Sequence, residues 1–426
     1  MCALLLLVSA CASYTQETEE VRYQFKHERY EEALKKLDAS SIKGNEKDRL
    51  LYRLEKSMIF DRMGERKKSR NLLIEADKVA DELYTTSIAK TATSFIVSDA
   101  SQDYSGEDYE KVSIHIILAL SFLEDHDLKE AGVEARKINN KLAEINAGYD
   151  EQKNRYAEDA FARYLSAMIY EATDNIDSAI IDYSKALKLY EGTYSDFYDG
   201  TVPHDLVEAL FRLCLKRSRT SEITAIEKKY PASAKKVRAK VEKLQSEGEL
   251  IVIHEVGLIT YKTTEEFLIP IGRQVVRLSF PVIKNRRSYA SEATGIEVLK
   301  EAPYVAGANV QNMNSIASFT LEDKRLRLIA KQGARLVAKG ILTEQAYKQA
   351  GPLGGIAANI FSAVTETADT RSWTLLPAAF FVNRIHLKPG EYKVKIQNDG
   401  VSSITSVRIE KGKIQFIRST GRETAK

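Results

Sequence analysis

The sequence predicts an α+β multidomain protein in which an N-terminal α-solenoid is followed by an antiparallel β domain carrying a helical insertion. Three observations lead there. All eight prolines lie at or beyond Pro203, so the first 202 residues lack the residue that breaks helix interiors. A set of five side-chain offsets recurs three times within that stretch. From Gly248 onward the apolar runs shorten, become β-branched or aromatic, and are bounded by Gly and Pro.

Composition narrows the class. With 426 residues, two or three domains are expected at roughly 150 residues each. Lys and Arg number 63 against 60 Asp and Glu, a net charge of +3, so no global basic field points to nucleic acid. Hydrophobic residues at 44% and charged residues at 29% are a globular balance, neither disordered nor multi-span. Three cysteines exclude a disulfide framework.

The apolar run from Ala3 to Val8 is far shorter than the roughly 20 residues that span a bilayer, and reads as a targeting segment. Val8-Ser9-Ala10-Cys11 resembles the bacterial lipobox, in which small residues enter the signal peptidase and the cysteine thiol takes diacylglycerol. That resemblance implies a signal peptide over 1–10 and lipidation at Cys11. No Lys or Arg precedes the apolar run, which a misassigned start codon explains. Acyl chains contribute about 0.8 kcal/mol per buried CH₂, so two or three hold a protein on a membrane durably. Ala12, in place of an Asp after the cysteine, implies the periplasmic face of the outer membrane. Cys214, between Leu213 and Leu215, reads as a small buried hydrophobe.

The region 11–247 is expected to be helical repeats. Only seven of the 21 glycines fall in the first 202 residues, most where a helix should stop, as in Met63-Gly64-Glu65. Ala167, Tyr170, Ala179, Tyr183 and Ala186 follow the spacing of a tetratricopeptide helix pair, with Thr173-Asp174-Asn175 as its turn. The same offsets pick out Ser57, Phe60, Ser69, Leu73 and Ala76, then Ala119, Phe122, Ala131, Ala135 and Ile138. Small residues belong where two helices cross closely, and a large one fills the groove beside them. A weaker copy through Tyr30, Ala33 and Leu37 makes about four pairs. Two stretches interrupt the spacing, Tyr84 to Tyr109 and Gly192 to Pro203. The second carries Tyr194, Phe197 and Tyr198, which either seal the array or form a binding rim. Helices then continue over 204–217 and 232–245.

The region 248–426 is expected to be β-rich. Leu250–His254, Glu266–Pro270 and Gln274–Phe280 read as strands. Tyr392, Val394 and Ile396 alternate with Lys393, Lys395 and Gln397, giving one buried and one wet face. Asn398-Asp399-Gly400 and Lys411-Gly412 supply turns, and an antiparallel sandwich or small sheet fits best. Between the strand groups a helical insertion runs from about 315 to 367, with an apolar stripe from Leu326 to Val337. Lys324, Arg325, Arg327, Lys331 and Arg335 lie off that stripe, as a solvated face or as contacts for anionic headgroups.

The order of parts resembles a family of uncharacterised bacterial envelope lipoproteins with a tetratricopeptide-like half and a β-rich half. Tyr109–His115, Val133–Arg136, Gly248–Gly257, Asp369–Trp373 and Leu376-Pro377-Ala378 carry the resemblance. It implies envelope assembly and brings neither an activity nor a cofactor. Asp369, Arg371 and the single tryptophan, Trp373, form the most distinctive local cluster. Arg371 suits a bidentate bond to a ligand carboxylate, or to Asp369 or Glu134 within the fold, with Trp373 plugging the junction of insertion and sheet.

Catalytic patterns are missing from the sequence. The six histidines form no pair at i,i+3 or i,i+4, and Leu258 stands where a zincin-like motif starting at His254-Glu255 needs its second histidine. Gly351–Gly355 has no following Lys-Ser/Thr and is no phosphate loop. No metal site and no cofactor are expected. The leading expectation is a non-enzymatic, lipid-anchored periplasmic scaffold or adaptor that binds a protein partner, with Tyr194, Phe197, Tyr198, Asp369, Arg371 and Trp373 as candidate contacts. The alternative is an accessory factor for envelope polysaccharide or peptidoglycan, with Tyr194 and Tyr198 as exposed stacking platforms. An enzyme in the β half would require a deep polar pocket with convergent ionisable groups.

Overall fold

The computed structural model describes residues 14–89, 100, 102–149, 156–271, 274–284, 293–325 and 368–420. Cys11, the Ala3 to Val8 run and the stripe from Leu326 to Val337 lie outside the described residues. Contacts divide the chain into two compact units, each discontinuous in sequence. One comprises Met1–Glu107, Thr260–Asn285 and Leu321–Leu376, the other Asp108–Ile259, Arg286–Thr320 and Pro377–Lys426. The expected division at 247/248 is therefore corrected, because each unit combines helices with strands.

The first unit holds α1 (Tyr14–Lys26), α2 (Tyr30–Ala39), α3 (Arg49–Arg62) and α4 (Arg66–Ala89), packed in order. The second holds α5 (Asp108–Glu124), α6 (Leu128–Gly148), α7 (Ala160–Ala172), α8 (Ile176–Glu191), the short α9 (Thr193–Phe197), α10 (His204–Lys216), α11 (Thr220–Lys229) and α12 (Pro231–Ser246). Here α5 pairs with α6, α7 with α8 and α10 with α11, while α6 packs on α7 and α8 on α10.

Five of these hairpins share one turn. Each connection has three residues, and the middle one is left-handed: Glu28, Gly64, His126, Asp174 and Ser218, with φ between 51° and 81°. The next residue's amide donates to the carbonyl five positions back, as in Glu65 to Phe60 and Asp127 to Phe122 at 2.9 Å, and Asn175 to Tyr170 at 2.8 Å. This 6→1 bond satisfies a carbonyl that the helix end leaves open. The small residues of the repeat behave as expected: Ser57, Ser69, Ala76, Ala119, Ala131, Ala135, Ala167, Ala179 and Ala186 are fully buried. The α10–α11 hairpin escaped the offset pattern because Phe211, Cys214, Ile223, Glu227 and Tyr230 occupy the five positions.

The strands are β1 (Gly248–Val256), β2 (Thr263–Ile271), β3 (Gln274–Val282), β4 (Gly295–Val298), β5 (Ala302–Ala306), β6 (Ala308–Asn312), β7 (Ala379–Leu387), β8 (Gly390–Asn398), β9 (Val401–Ile409) and β10 (Ile414–Ser419). In the first unit β2 and β3 form a two-stranded antiparallel ribbon. In the second, one sheet runs β10-β1-β7-β6 and another β5-β4-β8-β9. Leu250, Val252, Ile296, Val394, Ile396 and Val407 fill the core between them. Asp399 and Gly400, both left-handed, turn β8 into β9.

The expectation of an antiparallel β region needs one correction, since β10 runs parallel to β1 from Glu249↔Ile414 onward. After β9 the chain crosses to the other sheet through a turn whose Gly412 amide donates to Glu247 O and whose Lys413 O accepts from Glu249 N, both at 2.9 Å. Gly248 permits the crossing. A Cβ there would lie 2.2 Å from Glu410 O.

Every residue of β1 is buried, and that explains why helices and strands share a unit. Leu250 and Val252 face the second sheet, whereas Phe380, on the adjoining strand β7, stacks on Phe161 of α7 at 4.7 Å between ring centroids. A strand apolar on both faces must be covered on both sides. The repeat helices cover the second one. Residues 313–325 are helical, and 326–367, the rest of the expected insertion, lie outside the described residues. Among the described residues no helix is long and apolar enough to cross a membrane.

Candidate functional site

The aromatic insertion after α8 is packed inward. Tyr190, Tyr194 and Tyr198 make a run of edge-to-face contacts with centroids 5.5 and 5.0 Å apart, and Tyr198 meets Phe319 at 6.0 Å. Tyr190 also donates to Val310 O at 2.7 Å. Tyr194 and Tyr198 are 1% exposed and Phe197 is half-buried. The expectation of exposed stacking platforms is thus corrected: one helical turn at α9 folds the rings back against α8 and the residue 319 helix, where apolar burial outweighs exposure.

The Asp369–Trp373 cluster is knotted into the first unit. Arg371 Nε donates to Asp369 Oδ1 at 2.9 Å and Nη2 to Asp369 Oδ2 at 2.8 Å. Its Nη1 reaches Asp48 Oδ1 at 3.1 Å and Gln102 O at 2.9 Å. Burial would lower the guanidinium, but Asp369 and Asp48 raise it well above its ordinary value. Of the two internal partners considered, Asp369 is the one met; Glu134 instead accepts from His115 at 2.8 Å and Lys137 at 3.0 Å. Trp373 is wholly buried. The following residues hang on Glu55, whose Oε1 accepts from Thr374 N at 2.7 Å and Thr374 Oγ1 at 2.8 Å, and whose Oε2 accepts from Leu375 N at 3.0 Å. Glu107 holds Lys262 at 2.6 Å and also Lys324, so Lys324 is engaged within the fold rather than simply solvated.

The second unit contains a charge network that sequence reasoning missed. Glu249 of β1 and Arg384 of β7 form a two-point pair, and Arg384 also donates to Glu171 at 3.1 Å and to Tyr183 Oη at 2.8 Å. Arg212 of α10 reaches both Glu171 and Glu249 through Nη2. Burial would raise both carboxyls; Arg384, His386 and Arg212 hold Glu249 down at about 2, and Arg212 with Arg384 lowers Glu171. The available signal was a charged residue at the head of a strand apolar on both faces, Glu249 before Leu250–Ile253, and another inside Phe380–Ile385.

Above this network lies a cavity of about 220 Å³ between α10, α12 and the paired ends of β1 and β7. Burial pushes its Asp205 up to about 6, opposed by Arg384, and pushes its His386 down, opposed by Glu249. The cavity gathers ionisable groups, the feature an enzyme in the β half would show. Most of its charges are matched, Lys236 with Glu208 at 2.7 Å and Lys243 with Glu247 at 3.4 Å.

Elsewhere, His254 Nε2 lies 2.9 Å from Asn383 Oδ1, and burial pushes the imidazole down to about 4. Among the described residues no group of three or more His, Cys, Asp or Glu is placed to hold a metal ion. Cys214 is buried, and burial pushes its thiol up to about 11.

No family model matches the chain, and no curated protein matches it. Among solved structures it is similar to MamA AMB-1, at 12% identity and a TM-score of 0.29, over 52% of this chain and 90% of that one. It is also similar to a Podospora anserina kinesin light chain protein of nearly identical TPR-like repeats, at 13% identity and a TM-score of 0.31, over 53% of this chain and 95% of that one. At these scores the likeness is too distant to transfer a partner or a site.

Proposed function

We propose that the protein is a non-catalytic scaffold that holds a protein partner on its helical hairpins. The observation that carries this reading is the recurrence of one hairpin turn, left-handed at Glu28, Gly64, His126, Asp174 and Ser218. Repeated hairpins present a preformed surface that binds with little ordering cost. Tyr23 on α1 of the first unit and Ile181 on α8 of the second are large apolar side chains that the hairpins of each unit leave in solvent, 49% and 54% exposed. The two charge knots support the same reading, because their arginines and carboxylates are engaged with each other.

The second part of the proposal is the place of work. The apolar run before Val8-Ser9-Ala10-Cys11 supports a lipid anchor at Cys11, and Ala12 supports the periplasmic face of the outer membrane. The partner is then a periplasmic or outer-membrane protein engaged in envelope assembly.

Photocrosslinkers at Tyr23 and Ile181 in intact cells test the scaffold. One defined protein should be captured, and its purified form should bind the purified chain, more weakly after Ile181→Glu. No captured protein at any exposed position along α1 to α8 would sink the scaffold. Metabolic lipid labelling tests the anchor separately: Cys11→Ser should abolish label and release the protein, and an unlabelled native chain would refute anchoring while leaving the scaffold standing.

A further inference from the structure

We propose that the cavity between α10, α12 and β1–β7 is a binding site for a small hydroxylated anion, a phosphate or carboxylate on a polyol or sugar skeleton. The inference is independent of the scaffold reading and rests on which groups around the cavity are already engaged.

Arg212 is anchored but only partly used. Its Nη2 bonds Glu171 and Glu249, while Nε and Nη1 have no partner among the described residues. The guanidinium is therefore held in place with an N–H left on Nε and others on Nη1; because Nη2 belongs to both of its paired edges, each of these offers an oxyanion a single charge-assisted point of contact. Being fixed beforehand, it loses little rotamer freedom on binding.

Lys236, Lys240 and Lys243 share one face of α12 at i, i+4 and i+7 and all line the cavity. The outer two are matched by Glu208 and Glu247. Lys240, between them, has no carboxylate partner among the described residues. It is exposed and lines the cavity, a second cation for the anion held by Arg212.

Asp205, near the start of α10, lines the same cavity and accepts no hydrogen bond among the described residues. A bare carboxylate in an anion site would repel a simple inorganic anion, so it selects a ligand that also brings a donor. A hydroxyl adjacent to the acidic group satisfies it. Burial, which pushes Asp205 up to about 6, eases that repulsion further. Ala209, Val237 and Ile385 supply apolar wall for a carbon skeleton. At about 220 Å³ the space equals roughly seven waters of ~30 Å³ and falls below the ~300 Å³ at which drug-sized pockets begin, which fits a polyol or single sugar.

Titration calorimetry on the full chain tests the assignment with glycerol 3-phosphate, glucuronate, inorganic phosphate and glycerol. Glycerol 3-phosphate or glucuronate should bind, with glycerol silent and inorganic phosphate at least several-fold weaker. Lys240→Gln, on an exposed side chain that leaves the fold intact, should weaken the hydroxylated anion about tenfold. Asp205→Ala should narrow its advantage over inorganic phosphate to within about twofold. The proposal is overturned by no binding up to about 10 mM, by binding that Lys240→Gln leaves unchanged, or by phosphate binding as tightly as glycerol 3-phosphate.

Discussion

Arg384 and Glu249 face each other from adjacent strands 135 residues apart in sequence, with Nε to Oε1 at 2.7 Å and Nη2 to Oε2 at 2.9 Å. The pair does more than join β7 to β1. Arg384 extends past the sheet to Glu171 and Tyr183, so one guanidinium ties two strands to two repeat helices.

Removing one member should therefore cost more than removing both. Arg384→Met leaves Glu249 and Glu171 buried with Arg212 as their one remaining arginine among the described residues, a loss of about 3–5 kcal/mol by urea unfolding. Arg384→Met with Glu249→Leu should lose less than the sum of the two single changes. Additive losses would show that the pair is not a functional unit of the core.

Glu55 sets a pH dependence of the opposite sign to an ordinary ion pair. Burial pushes its carboxyl up to about 7, against the lowering pull of Thr374, Tyr14 and Arg22. The folded state then holds the proton more tightly than the unfolded chain. Its contribution is fully present below the usual value near 4.5 and is lost as pH rises through about 7, by at most about 3 kcal/mol. Stability measured between pH 4.5 and 7.5 should fall less steeply in Glu55→Gln, and an identical slope would refute the assignment.

The shared hairpin turn makes a prediction about backbone alone. Gly64 sits at φ 81° with open space where a Cβ would go, so Gly64→Ala should destabilise by about 1–2 kcal/mol through left-handed strain. Asp174→Gly should be nearly neutral, because relief of that strain is offset by added freedom of the unfolded chain. Calorimetric melting of both variants tests the contrast.

Trp373 is wholly buried in the first unit and is the chain's only tryptophan. Trp373→Ala should cost about 3–5 kcal/mol. In the native protein its emission should be blue-shifted and move red on unfolding, reporting the first unit selectively. A Trp373→Ala chain as stable as the native one, yet deficient in partner binding, would return this residue to the list of contacts.

The sequence by itself determined what lies within one hairpin. Helix length, the small residues at Ala119, Ala131 and Ala167, and the turn at Asp174 are encoded inside a few dozen residues, where periodicity and turn chemistry act locally. The burial of Val394 and Ile396 was equally legible from alternation. Tertiary structure alone decided which charges met. Arg371 finds Asp48 across 323 residues, and Arg384 finds Glu171 across 213. It also decided that β1, apolar on both faces, is covered by repeat helices, and that Tyr194 turns inward. These outcomes depend on which surfaces the folded chain brings together, and no local period records that.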